Sequence, residues 1–218
     1  MKVPLIALVA MYAQALPLLG VLRDRGRTPV ARRWVARWCA LLLLTDLVAT
    51  LVARLHGYNL WVFYAHVPLS HALVLWTLSL WQTSAVLVLA YRLAIPLSLL
   101  VLAALLFAKN PGAAADNFGI PALRLLALAG AAATLVSRSA TALEPVTRQD
   151  WFWITLGIAI YFALGVALQP FVTLLLAERV DLVDLAYRTK AWADVGAFLL
   201  ITRGMLCPLP PTPSGGSS

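Results

Sequence analysis

The chain has 218 residues, of which 62% are hydrophobic and 12% charged, and its formal net charge is +8. A soluble domain runs near 25% charged, so these values exclude an ordinary water-soluble globule, as does a mean hydropathy of +0.86. The basic residues flank apolar runs instead of forming a domain of their own, which argues against a nucleic-acid partner and for a role in membrane topology.

Seven apolar spans follow in chain order. The first covers residues 3–22. Ala13-Gln14-Ala15 has the form of a signal-peptide cleavage site, but the apolar run continues past it and an Arg-rich loop follows, which reads as a first membrane span. That loop, with Arg23, Arg25, Arg27, Arg32 and Arg33 opposed by Asp24 alone, is held in the cytoplasm by the positive-inside rule and places the N-terminus outside. Span 2 covers residues 38–54 and carries Asp46 near its middle. Span 3, residues 59–82, has no Asp, Glu, Lys or Arg. Span 4 ends at residue 107 and is interrupted by Arg92, which either snorkels to the inner face or marks the start of the helix. Span 5 covers residues 118–136 with Arg124 inside it, and an inner loop, 137–150, carries Arg138 and Arg148.

Span 6, residues 151–176, opens on the aromatic anchor Trp151-Phe152-Trp153. Gly157, Tyr161 and Gly165 share one of its faces, which permits close helix contact. An outer loop, 177–184, leads into span 7, residues 185–206, with Asp194 at mid-span. The Pro/Gly/Ser-rich tail, residues 208–218, reads as a disordered cytoplasmic segment following a transmembrane domain of residues 1–207. The fold class is therefore all-α, a polytopic seven-transmembrane helix bundle, N-terminus outside and C-terminus cytoplasmic. The spans are too long and too evenly apolar for barrel strands. Cys39 and Cys207 both fall at the cytoplasmic face in this reading, where thiols stay reduced and no disulfide is expected.

The polar residues inside the spans are the candidate site. On a helix Asn59, His66, Ser70 and Thr77 fall within about 40° of one another, a stripe that a bundle interior uses and a lipid-facing surface does not. Asp46 and Asp194 each cost about 2.5–3.5 kcal/mol at mid-bilayer and need a proton, a partner or water. Thr50 lies one turn from Asp46. Lys190 lies one turn before Asp194, where an ion pair is allowed, and Arg124 is placed to reach either acid across the bundle. His66 and His71 are about 140° apart on a helix and do not face one metal ion; His71 reads as structural. No phosphate-binding glycine loop, nucleophile elbow or metal-ligand spacing is present, so no cofactor is expected.

Asn59-Leu60-Trp61, followed by Pro68-Leu69, resembles the opening of a span in a family of small seven-span bacterial membrane proteins, some encoded beside sensor histidine kinases. Where that family has an acid after Pro-Leu, this chain has Ser70. Asp150-Trp151-Phe152-Trp153 and Gly157…Ile160-Tyr161-Phe162 are similar to a second stretch of the same family. The resemblance covers about a quarter of the chain and implies seven spans without implying an activity. Asp194-Val195-Gly196-Ala197-Phe198 is similar to the last helix of microbial rhodopsins, but an acid stands where the retinal-binding lysine belongs. Small seven-span terpene cyclases are similar in size and place acids on different helices, as Asp46 and Asp194 are placed here.

Three functions follow as expectations. The first is a protein that binds a small apolar or amphipathic ligand through Asn59, His66, Ser70, Thr77, Arg124, Tyr161 and Lys190, in a sensory or accessory role beside a membrane-protein partner. The second is an intramembrane enzyme on an isoprenoid or lipid, with Asp46 or Asp194 as general acid. The third is a proton- or ion-coupled carrier using Asp46, His66 and Asp194.

Overall fold

Every described apolar run is helical. The computed structural model describes residues 5–24, 27–56, 60–106, 119–175 and 180–208, and among these it contains helices and turns but no strand. The helices are α1 (Leu5–Ala13), α2 (Leu18–Asp24), α3 (Val30–His56), α4 (Leu60–Leu80), α5 (Ala85–Leu106), α6 (Ile120–Ala140), α7 (Asp150–Leu175) and α8 (Val180–Met205), with a short 3-10 turn at Val146–Arg148. Among the described residues five stretches are long and apolar enough to cross a membrane: Leu5–Asp24, Val30–Leu55, Ala85–Leu105, Ile120–Ala140 and Asp150–Leu168. The chain is a helical membrane protein. Asn59, the 107–118 connection, Glu178, Arg179 and the 209–218 part of the tail lie outside the described residues.

Several boundaries differ from the sequence reading, each for a physical reason. The first apolar stretch is two helices. Pro17 has no N–H to offer Ala13, so Leu16 takes that carbonyl at 3.1 Å and the chain runs through i→i−3 bonds as far as Gly20. α3 begins at Val30, so Arg32, Arg33, Arg37 and Trp38 are helical residues and not a loop and its edge. Cys39 consequently lies about 14 Å inside α3 and is fully buried, away from the helix end where the sequence reading put it; both cysteines are free thiols. α5 runs unbroken through Arg92. α8 starts at Val180, which moves Asp181 and Asp184 from the outer loop into the helix. Asp184 pairs there with Arg188 at 2.8 Å.

The helices form a ring. α1 and α2 pack on α3 and α8, α3 on α4, α4 on α6, α6 on α7, and α7 most extensively on α8. α5 rides outside, against α4 and α6. Its Val86, Leu89, Leu93, Leu97 and Leu100 are more than half exposed, as an apolar helix bordered by lipid would be. The α7–α8 contact is backbone-close: a Cβ on Gly157 would stand 2.6 Å from the Ala197 carbonyl oxygen, so only glycine lets these two helices meet.

Trp38 fills the ring's centre. It is 1% exposed and meets Tyr161 edge-on at 5.6 Å and Phe162 and Phe198 at 6.2 and 6.3 Å between ring centroids. Aromatic pairs at these separations contribute about 0.5–1.5 kcal/mol each beyond area burial.

A charged clasp closes one end of the bundle. Arg32, 1% exposed, donates from Nε to Asp150 Oδ2 at 2.8 Å and from Nη1 to the Met205 carbonyl at 3.2 Å, with Asp24 3.6 Å away. It thereby joins α2, α3, the start of α7 and the end of α8. Asp150 Oδ1 also accepts the Trp151 N–H at 2.7 Å, so that carboxylate serves both the clasp and the first turn of α7. On the same end Gln82 donates to Thr134 Oγ1 at 2.8 Å and accepts from Ser137 at 3.1 Å. Tyr91 donates to the Gly130 carbonyl at 2.6 Å.

Candidate functional site

Each intramembrane acid has a hydrogen-bonded partner, Asp46 from across the bundle and Asp194 from its own helix. The break after α1 turns Gln14 inward, where it is 7% exposed, and its Nε2 donates to Asp46 Oδ2 at 2.7 Å. Thr50 is not that partner: its hydroxyl donates to the Asp46 backbone carbonyl at 2.7 Å. Lys190 donates to Asp194 within α8, and its ammonium stands 5.2 Å from the centre of the Tyr161 ring. In these two pairs Gln14 Oε1 and Asp194 Oδ1 are buried without a hydrogen bond among the described residues.

Arg124 crosses from α6 to α7 and donates from Nη1 to the Gly165 carbonyl at 3.2 Å. Gly165 makes this possible, since a Cβ there would sit 3.3 Å from Arg124 Cδ. Gly165 therefore admits an arginine, whereas Gly157, on the same helix face, admits a neighbouring backbone. Arg124, Tyr161, Phe162, Gly165 and Lys190 line a cavity of about 30 Å³. A water needs about 10–15 Å³ measured this way, so this partly open space holds about two or three. Asp46 lies within electrostatic reach of both Lys190 and Asp194, and Tyr161 within reach of Asp194, Arg124 and Asp46. Two acids, two bases and a phenol thus share one interior, in the half of the bundle opposite the Arg32 clasp.

None of the described residues of the polar stripe on α4 lines this cavity, although His66 lies within electrostatic reach of Arg124. His66 Nδ1 is 2.9 Å from Thr45 Oγ1 on α3. The Thr45 hydroxyl gives its single proton to the Leu41 carbonyl at 2.8 Å, which makes Nδ1 of His66 the donor. Ser70 accepts from Trp38 Nε1 at 2.8 Å, and Thr77, 1% exposed, donates to the Leu73 carbonyl on its own helix. The stripe therefore faces α3 and the packed interior. His71 points elsewhere, with Nε2 2.9 Å from Ser98 Oγ on α5. Among the described residues no three His, Cys, Asp or Glu side chains are grouped to hold a metal ion.

Of the residues singled out from the sequence, Arg124, Tyr161 and Lys190 meet at the cavity, with Asp194 bonded to Lys190. Asp46 is held beside them by Gln14. His66, Ser70 and Thr77 bond to backbone or to α3, and Asn59 lies outside the described residues. Sequence reasoning missed Gln14, Phe162 and the clasp residue Arg32. Gln14 is the one amide in the first apolar run, and that was the available signal. Comparison of the chain with protein-family models, curated proteins and solved structures returns no match.

Proposed function

We propose that this is a seven-crossing protein of the bacterial inner membrane that binds a small amphipathic ligand in its interior, in a sensory or accessory role. α4 has 21 residues and no charged side chain, and α8 has 26 residues whose mid-helix charges are paired; with the five apolar stretches they make seven crossings. Arg23, Arg32, Arg37, Arg92, Arg138 and Arg203 gather at the clasp end of the bundle, which the positive-inside rule assigns to the cytoplasm, leaving the N-terminus outside.

The observation that carries the ligand reading is the cavity between Arg124, Lys190, Tyr161 and Phe162. Cations and ring faces at one small opening suit a polar head attached to an apolar body. The test is a photoreactive fatty-acid probe incubated with the full chain in lipid nanodiscs. Cross-links are expected on α6 and α7 near Arg124 and Tyr161, and are expected to vanish in Gly165→Leu, which fills the space Arg124 occupies. Labelling spread evenly over the lipid-facing surface would sink the reading.

The competing functions need more than this interior offers. An intramembrane enzyme needs a free general acid, whereas both acids already carry hydrogen-bonded partners. A carrier relay through Asp46, His66 and Asp194 lacks a direct link, because His66 is bonded to Thr45. Turnover of a polyprenyl substrate by the reconstituted protein, lost in Asp194→Asn, would move the assignment to the enzyme.

A further inference from the structure

Four arginines at the clasp end lie over tryptophan rings. Arg37 Cζ is 4.3 Å from the centre of Trp34, Arg92 Cζ 4.8 Å from Trp76, Arg138 Cζ 5.5 Å from Trp151 and Arg203 Cζ 3.9 Å from Trp153. Two of these pairs are joined: Trp34 and Trp76 meet edge-on, with centroids 6.1 Å apart. The result is one continuous stack across three helices, Arg37–Trp34 on α3, Trp76 on α4 and Arg92 on α5. Arg37 and Arg92 are exposed, and among the described residues no carboxylate pairs with either. The indole N–H of Trp76 is buried in the middle of the stack without a hydrogen-bond acceptor.

We propose that the Arg37–Trp34–Trp76–Arg92 stack holds the phosphate head group of an anionic phospholipid. A guanidinium lying over a ring uses its face for the cation–π contact and keeps its edge N–H groups for an anion. Phosphate takes such a fork in a bidentate manner. The surroundings supply the other half of a lipid. On α3 the exposed side runs from Arg33 and Arg37 through Ala40 to Leu44, Leu47 and Leu51, head-group chemistry followed by apolar contact. On α5 Leu93, Leu97 and Leu100 continue outward from Arg92 in the same way. The occupant is a lipid in place of a free anion because the cations stand at the top of these two apolar tracks, and basic pockets between helices on the cytoplasmic side are where anionic head groups bind. The assignment rests on the chain crossing a membrane and is independent of the interior cavity.

The test is native mass spectrometry of the full chain in detergent with equal phosphatidylglycerol and phosphatidylethanolamine. The wild type is expected to retain phosphatidylglycerol preferentially. Arg37→Gln/Arg92→Gln is expected to lower that occupancy about tenfold, while Arg54→Gln/Arg188→Gln, which removes two charges at the other end, leaves it unchanged. Arg37→Lys/Arg92→Lys keeps the charge, guards against a folding artefact, and is expected to retain an intermediate share. Gly165→Leu is expected to leave lipid retention intact whatever it does to the interior probe. Equal loss in both glutamine doubles, or no preference between the two lipids, overturns the proposal. Displacement of the lipid by millimolar inorganic phosphate overturns the lipid assignment in favour of a free anion.

Discussion

The indole of Trp38 and the hydroxyl of Ser70 are joined at 2.8 Å, and this bond fixes α4 against α3 at the level where four aromatic rings meet. Ser70→Ala leaves a buried N–H without an acceptor, which costs about 1–3 kcal/mol. Trp38→Phe removes the donor but keeps much of the packing. A double-mutant cycle in detergent unfolding is therefore expected to show coupling, with Ser70→Ala nearly neutral once Trp38 is Phe. Additive losses would mean that the two residues act independently.

Arg32→Met strips the clasp of its buried cation and leaves Asp150 a partly buried carboxylate without that partner. Breaking a buried pair by removing one partner costs about 3–5 kcal/mol. Arg32→Lys is expected to recover little, because one ammonium does not reproduce the separate Nε and Nη1 bonds to Asp150 and Met205. Unfolding midpoints of the two variants close to wild type would contradict the clasp.

Lys190→Met is expected to destabilise the bundle by a similar few kcal/mol, since Asp194 then loses its hydrogen-bonded cation. Lys190→Met/Asp194→Asn removes both charges and is expected to regain most of the loss. If the double variant is worse than the single, the pair has a further charge partner strong enough to outweigh desolvation.

Gly157→Leu forces side-chain atoms into the Ala197 carbonyl and Ile201. Overpacking costs about 1–3 kcal/mol where neighbours can yield, and a facing backbone yields least. Gly196, whose added Cβ meets nothing within 4 Å, is the matched control on α8 and is expected to tolerate Ala with little change. The comparison is read from the yield and thermal midpoint of purified protein.

Cys207 sits just past α8, half-buried, while Cys39 is fully buried. In native vesicles a membrane-impermeant maleimide is expected to reach Cys207 from the cytoplasmic side only and Cys39 from neither. Burial raises the Cys207 thiol above its ordinary value, outweighing Arg32 and Arg203. Its thiolate fraction at a given pH is therefore below that of a free cysteine, and labelling is expected to be slow near neutral pH and to accelerate at pH values above those a free thiol needs. Labelling from the periplasmic side would invert the topology.

The sequence already carries what depends on a single helix. The apolar runs locate the helices but miss the early starts of α3 and α8 and the break after α1, and the Lys190–Asp194 bond needs only the four-residue spacing of α8. The closeness permitted at Gly157 follows from its side chain alone. What depends on helix order is hidden. Gln14 reaches Asp46 over 32 residues and Arg124 reaches Gly165 over 41, and no periodicity within one span reveals either. Arg32 was indistinguishable from its loop neighbours because composition records a charge without recording its burial. Trp38 was read as the edge of a span for the same reason, since an indole suits a membrane interface as well as a core.

The clasp also sets a clock for biogenesis. Arg32 precedes Asp150 by 118 residues and Met205 by 173. At about 5–20 residues per second, its last partner leaves the ribosome roughly 9–35 seconds after it does. Until Asp150 is made, Asp24 is the nearest counter-charge in the chain already made. The first helices therefore wait, inserted and incompletely neutralised, for the start of α7, and a ring that pairs α1 with α8 closes only when synthesis of the spans is complete.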